Sequence, residues 1–376
     1  MTPTRALAAV RALCGLGLHA EVLVPAVLEA LHAVVPSYRN LFDWTDSQGR
    51  LLRYFIEGPI DTRIAQLYFD EFHNRREVEA MPAFDSLRGC QAGVRSAAEL
   101  DHRGFFNSAL YQQVWRPQGF HTRLEAVLRG HQGQLLGSLV LYRSEHEPRF
   151  TAAEERLLAS LLPDLAAALE SCEKAPDDRH VLAPEPPQTL VLTLQGQLCH
   201  ASAGASAMLL LADGGASRAA LTRPLDMLAA RLVPMVLARL RERAAQPLAQ
   251  RGPPPSITHE TPSGQFVASG ELLHAARWGH ADAGEAAGPL AQITLRRLES
   301  HRVALERALR TLPLTPGQAA VCRWLYHGQS QAQISRQLGV AQATVVDHVR
   351  KAYQALDVRS ALELRARLDL KIGGAA

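Results

Sequence analysis

Apolar positions along the chain recur with two different periods. From Thr151 onward, Leu157, Leu158, Leu161, Leu162, Leu165 and Leu169 follow the 3.6-residue period of a helix. Thr151 and Glu154 have capping-box spacing at its start, and Pro163 predicts a kink. Two earlier stretches read as strand pairs: residues 38–58, turning at Asp46–Gly49, and residues 122–144, turning at Gly130–Gly133. A helix is expected over residues 22–35, and residues 61–116 read as helical or irregular. Residues 189–214 read as strand, turn at Gly196, short strand and small-residue helix. An Arg-rich helix over 223–245, a loop holding Pro253, Pro254 and Pro255, a strand pair over 264–278 and a last strand over 288–300 follow. Residues 300–312 form a charged amphipathic helix with Val303, Leu305, Leu309 and Leu312 on its apolar side.

Pro176, Pro184, Pro186 and Pro187 forbid helix in a charged stretch with nothing to bury, so residues 174–187 read as a linker. The order helix, hairpin, helical insert, hairpin, amphipathic helix over residues 1–173 resembles a GAF domain. The strand–turn–strand–helix opening of residues 188–299 resembles a PAS-type fold. Both resemblances are architectural and imply sensor regions. Tyr38, Trp44, Tyr54, Phe55 and Trp115 are either the lining of a ligand pocket or ordinary core of the first region.

Helix starts in the last stretch can be read from capping. Thr315-Pro316-Gly317-Gln318 has a capping Thr, Pro at the first helical position and Gln at the third. Ser330–Gln333 repeats the logic, and Ser360–Glu363 is a capping box. The turn at Leu338-Gly339-Val340-Ala341 is of helix-turn-helix type. In the helix beyond it, Val345, Val349, Ala352 and Leu356 make one apolar stripe, while Val346, Asp347, Arg350, Lys351 and Gln354 fall opposite. A helix held by one stripe with polar reach on the other can lie in a major groove. It starts either at Ala341, which carries no capping oxygen, or one or two residues later with Thr344 as its cap.

Net charge sharpens this reading. It is −3 over residues 1–175, +2 over 176–313 and +4 over 314–376, so a polyanion partner is sought at the C-terminal end. The five cysteines are widely spaced without a CxxC, which excludes a zinc ribbon or disulfide framework and fits reduced thiols in a cytoplasmic protein. No apolar run spans a bilayer and no signal peptide is read, so no membrane association is expected. No phosphate-binding glycine loop, metalloprotease helix or nucleophile elbow occurs, so no catalytic residue, metal or cofactor is assigned and no enzyme is expected.

Residues 314–370 resemble the LuxR-type (GerE-type) helix-turn-helix domain. The resemblance is carried by Leu314-Thr315-Pro316, Val321, Leu325, Gly328, Ser330, Ile334, Leu338-Gly339-Val340, Thr344-Val345, His348, Leu356, Val358, Ser360 and Glu363. It implies a four-helix unit that binds double-stranded DNA as a homodimer under the control of an N-terminal sensory region. The chain departs from the pattern at Gln318, Ala341, Val346 and Asp347. The expected architecture is therefore multidomain: α+β sensor regions at 1–173 and 188–299, a connecting helix at 300–312, an all-α helix-turn-helix domain at 313–370 and a tail at 371–376.

Candidate base contacts are Arg350 to a guanine edge and Val346 to a thymine methyl, while Asp347 either accepts from a cytosine amino group or excludes wrong bases. Lys351, Thr344 and Ser330 are candidate phosphate contacts, Gln342 is a further candidate DNA contact, and His348 is either a phosphate donor or a packing residue. RNA polymerase and a small-molecule effector are candidate further partners. The alternative is an anti-activator that dimerises without specific DNA binding; Asp347, Val346 and the missing cap favour it, while Arg350, Lys351 and the basic tail favour DNA.

Overall fold

The computed structural model describes residues 2–91, 93–95, 97–170, 179–223, 232–274 and 289–373. In chain order they form α1 (Pro3–Cys14), α2 (Ala20–Leu31), β1 (Arg39–Thr45), β2 (Leu51–Ile56), α3 (Thr62–Leu67), β3 (Val94–Arg95), α4 (Arg103–Phe106), β4 (Thr122–Arg129), β5 (Leu135–Arg143), α5 (Ala152–Ala159) and α6 (Leu162–Glu170). These are followed by β6 (His180–Leu182), β7 (Gln188–Thr193), β8 (Leu198–Ala201), α7 (Ala205–Ala212), α8 (Arg218–Leu221), α9 (Leu232–Ala245), β9 (Ser256–Thr261), β10 (Gly264–Leu273) and β11 (Leu290–Ser300). The last elements are α10 (His301–Thr311), α11 (Pro316–Tyr326), α12 (Gln331–Leu338), α13 (Gln342–Leu356) and α14 (Ala361–Gly373).

Two compact units result, and neither is continuous in sequence. One holds residues 37–151 and 185–298; the other holds 1–36, 152–184 and 299–376. The first contains two antiparallel sheets with strand orders β2-β1-β5-β4-β3 and β8-β7-β11-β10-β9. Each places its first strand beside its last, so both follow the same path. Tyr54 N donates to Ala216 O at 2.8 Å and Gln66 Nε2 donates to Leu221 O at 2.6 Å. A single buried cluster runs from Tyr54, Phe72 and Trp115 through Leu190, Leu209 and Val236 to Phe266 and Ile293.

In the other unit, α10 is built into the core of the C-terminal helices. Its Leu305, Ala308 and Leu309 are buried with Val321, Cys322, Ile334, Val345 and Leu364. Burial pushes the Cys322 thiol up to about 12, as suits a core cysteine. Arg323 of α11 forms a bidentate pair with Glu306 of α10, Nη2 to Oε2 at 2.7 Å. The Tyr326 hydroxyl donates to Asp369 at 2.5 Å and stands 2.9 Å from His301 Nε2, joining α10, α11 and α14. The N-terminal helices close on the same assembly: Arg307 and Arg310 both pair with Glu29 of α2.

The two hairpins, the α7 helix and the last strand stand where the sequence places them. Two readings need correction. Residues 264–273 are one strand rather than two; its hairpin partner is β9, from a stretch read as loop. Residues 275–278 of that reading, 174–178 of the linker and 224–231 of the Arg-rich helix lie outside the described residues. Around Pro163 the expected helix is interrupted rather than kinked, because Pro fits the first turn of α6 but cannot donate to a continuing α5.

Candidate nucleic-acid interface

The helix-turn-helix is assembled from caps. Thr315 and Gln318 form a full capping box on α11, and Ser330 and Gln333 form one on α12. Gly339 closes α12 in the left-handed conformation at φ 64°, where a side chain is disfavoured. Ala341 is then the N-cap of α13, extended at φ −61° and ψ 145°, with no side-chain oxygen on the exposed N–H groups. Of the two possible starts, the helix takes the earlier one. Val345, Val349, Ala352 and Leu356 are buried, as the stripe requires.

That anchoring turns the opposite side of α13 to solvent. Gln342, Thr344, Arg350 and Lys351 are exposed, and Val346 is 46% exposed. Asp347 lies between the two cations: Lys351 Nζ is 2.7 Å from Oδ2 and Arg350 Nη2 is 2.9 Å from Oδ1. The hydrogen bonds from Lys351 and then Arg350 hold its carboxyl below the usual range. Within this cluster Asp347 offsets one of the two positive charges, a relation the i, i+3 and i, i+4 spacing permits.

Two other candidates are engaged within the fold. Ser330 Oγ accepts from Gln333 N at 3.3 Å and donates to Gln333 Oε1 at 2.8 Å, so its hydroxyl serves the cap. His348 is half-buried; its Nε2 lies against Gly317, where an added Cβ would approach it to 3.0 Å, and its buried Nδ1 has no hydrogen-bond partner. Sequence reasoning missed Arg365, whose guanidinium donates to Tyr326 O at 2.7 and 3.1 Å and so caps the end of α11.

A second feature lies in the first sheet. A cavity of about 120 Å³ is lined by Tyr54 and Trp115, two of the five aromatics singled out, whereas Tyr38, Trp44 and Phe55 are not in its wall. Asp43, Arg95, Arg123 and Glu125 also line it, and none of them was singled out from sequence. Burial pushes the Asp43 carboxyl up to about 8, with a hydrogen bond from Ser138 at 3.1 Å working the other way. Among the described residues no group of three His, Cys, Asp or Glu could hold a metal ion, and no helix is long and apolar enough to cross a membrane.

Residues 312–366 match the family model of the bacterial regulatory proteins of the luxR family. The segment is a LuxR-type helix-turn-helix domain, a DNA-binding module of transcription regulators. No curated relative matches the chain. Among solved structures, Escherichia coli SdiA is similar at 9% identity, over 95% of this chain and 92% of that one, with a TM-score of 0.30. The GAF domain of the cyanobacteriochrome TePixJ is similar at 16% identity, over 39% of this chain and 89% of that one, with a TM-score of 0.27. The E. coli DhaR(N)–DhaL complex is similar at 16% identity, over 76% and 86%, with a TM-score of 0.24.

Proposed function

We propose that this chain is a cytoplasmic, non-enzymatic transcription regulator that binds double-stranded DNA as a homodimer, with its sheet-containing region acting as the sensor. The observation that carries the reading is α13: one side is locked into the core and the other presents Val346, Arg350, Lys351, Thr344 and Gln342 at the start and middle of the helix. Side chains so placed can reach base edges and flanking phosphates. Arg350 is assigned to a guanine edge, Val346 to a thymine methyl, and Lys351, Thr344 and Gln342 to the backbone. Asp347 sets how much charge the two cations offer, and Ser330 and His348 take supporting positions.

A second copy fits along α14, where Leu362 and Leu370 are exposed on a helix whose other side, at Leu364 and Leu368, is buried. Sensor control would run through α10, which is packed into the DNA-binding helices and follows β11 without a loop. A change in the sensor then acts on the spacing of two recognition helices. RNA polymerase is a partner by the same reading.

Selection of bound sequences from a random DNA library with the purified full chain tests the proposal. An enriched, two-fold symmetric motif is expected. The anti-activator reading is favoured by the Asp347 pairing, and recovery of no motif together with salt-independent retention on a protein partner would support it instead.

A further inference from the structure

We propose that the cavity in the first sheet binds a small monocarboxylate with an apolar body, its carboxylate seated on Arg95 and Arg123. The inference deepens the sensor reading above and rests on it. Strand register builds the site. Ile56, Leu41, Val140, Glu125 and Arg95 form one row across β2, β1, β5, β4 and β3. Because successive residues of a strand alternate faces, Tyr142 and Arg123 stand on the same face as this row. The row is apolar at one end and charged at the other.

Unfilled hydrogen-bond donors select the class of ligand. Glu125, 4% exposed, has its Oε2 at 3.2 Å from Arg95 Nη1 and 3.3 Å from Arg123 Nη2. That oxygen is buried and accepts no hydrogen bond from either. Two guanidiniums thus share one carboxylate in a place where an incompletely paired charge is costly. The other acids of the lining do not supply the missing acceptors. Asp43 is held toward its neutral form by burial. Glu77 already accepts from the Tyr68 hydroxyl and from the backbone N–H groups of Asn74 and Phe84. Burial works against the Arg123 charge, while Glu125, Tyr142, Tyr68 and, last, Glu77 favour it. The contacts of both guanidiniums on Glu125 fall short of hydrogen bonds, so among the described side chains at this end of the cavity their N–H groups remain to be matched. A ligand carboxylate supplies those acceptors with the two-oxygen geometry that guanidinium prefers, and an ammonium ligand has none to offer.

Size and lining set the rest of the ligand. Leu41, Ile56, Phe69, Val114 and Val140 line the cavity. Its volume of about 120 Å³ is somewhat below the ~150 Å³ of an apolar cavity that admits benzene. A body the size of one ring or a short branched chain suits it, and a long acyl chain does not.

The test uses the full chain and three probes of one shape: benzoate, benzamide and benzylamine, with isovalerate as a branched acid. Calorimetric titration and Trp115 fluorescence read binding. Benzoate is expected to bind and to raise the melting temperature, benzamide to bind at least about tenfold more weakly, and benzylamine not to bind. Arg123→Gln is expected to weaken benzoate by about tenfold or more. Should that variant not fold, the benzoate–benzamide ratio on the unaltered chain decides alone. Equal binding of the acid and the amide, or no binding of either acid at millimolar concentration, overturns the inference. DNA binding without added acid is measured alongside. A chain that binds DNA but neither acid overturns the site alone. A chain that binds benzoate but no DNA overturns the regulatory reading and supports the site.

Discussion

Asp347 accepts a hydrogen bond from Arg350 Nη2 at 2.9 Å on the solvent side of α13. The same carboxylate holds Lys351, so both cations of the candidate interface answer to one acid. Phosphate attraction depends on cations free to displace counterions. Asp347→Asn is therefore expected to tighten DNA binding and to steepen the fall of log K with log[salt] by about 0.9 for each phosphate newly contacted. Anisotropy titrations over a salt series measure this, and an unchanged slope would show that Asp347 does not restrain the cations.

Arg350 and Lys351 are expected to fail differently when removed. Arg350→Ala should lose roughly 1–3 kcal/mol on a selected site and relax preference at one base position. Lys351→Ala should weaken all sequences alike. Equal losses on selected and random DNA for both variants would take Arg350 out of base readout.

Ala341 leaves the first N–H groups of α13 without a side-chain acceptor. Ala341→Ser should raise stability by roughly 0.5–2 kcal/mol. Thr344 lies inside the helix and exposed, so Thr344→Ala should stay within about 0.5 kcal/mol. Melting curves of the two variants check the pair. A loss at Thr344 with no gain at Ala341 would move the start of the helix.

The C-terminal domain was legible because its signals are local. Caps at Thr315, Ser330 and Ser360 and the stripe from Val345 to Leu356 each need only a few neighbouring residues. The cavity in the first sheet was not legible, for a physical reason. In β4, Arg123 and Glu125 alternate with Leu124 and Ala126, the ordinary signature of one wet face. Here segments from residues 60–118 line the cavity over that face, and the charges are buried. Strand β9 was missed because it is an edge strand whose positions alternate between exposed and half-buried, so no apolar run marks it. Nor does the sequence say that α9 lies on β10. The space left by Gly270 is what admits it, since a Cβ there would come within 2.6 Å of Val236. Helix α1 has a signal that went unread, namely Pro3 in the first turn and Gly15 just past the end.

Asp43 predicts a pH dependence of the stability of the sheet-containing unit. Its folded carboxyl titrates at about 8, against 3.8 for the free side chain. Between those values the folded state keeps a proton that the unfolded state has released, so stability falls as pH rises. The slope is at most about 1.4 kcal/mol per pH unit. Asp43→Asn preserves an acceptor for Ser138 and does not titrate. The melting temperature of the variant relative to the unaltered chain should therefore climb from pH 5 to pH 8. A constant difference would mean that Asp43 ionises at its ordinary pH.

The pair between Glu306 and Arg323 gives the most direct test of how firmly α10 is joined to the DNA-binding helices. Glu306 is buried at the α10–α11 contact, and Arg323 meets it with two parallel hydrogen bonds. A buried pair gains little over a well-packed apolar one, because desolvating both charges offsets their attraction. Removing one member is different, since it leaves the other charge buried and unpaired. Glu306→Gln should therefore destabilise this unit by about 3–5 kcal/mol. The double variant Glu306→Leu with Arg323→Met should recover most of that loss, within about 1–2 kcal/mol of the unaltered chain. Denaturant melts of the three proteins make the comparison. If the single variant costs less than about 1 kcal/mol, the pair behaves as an exposed one, and α10 is held to α11 by the packing of Leu305, Ala308 and Leu309 alone.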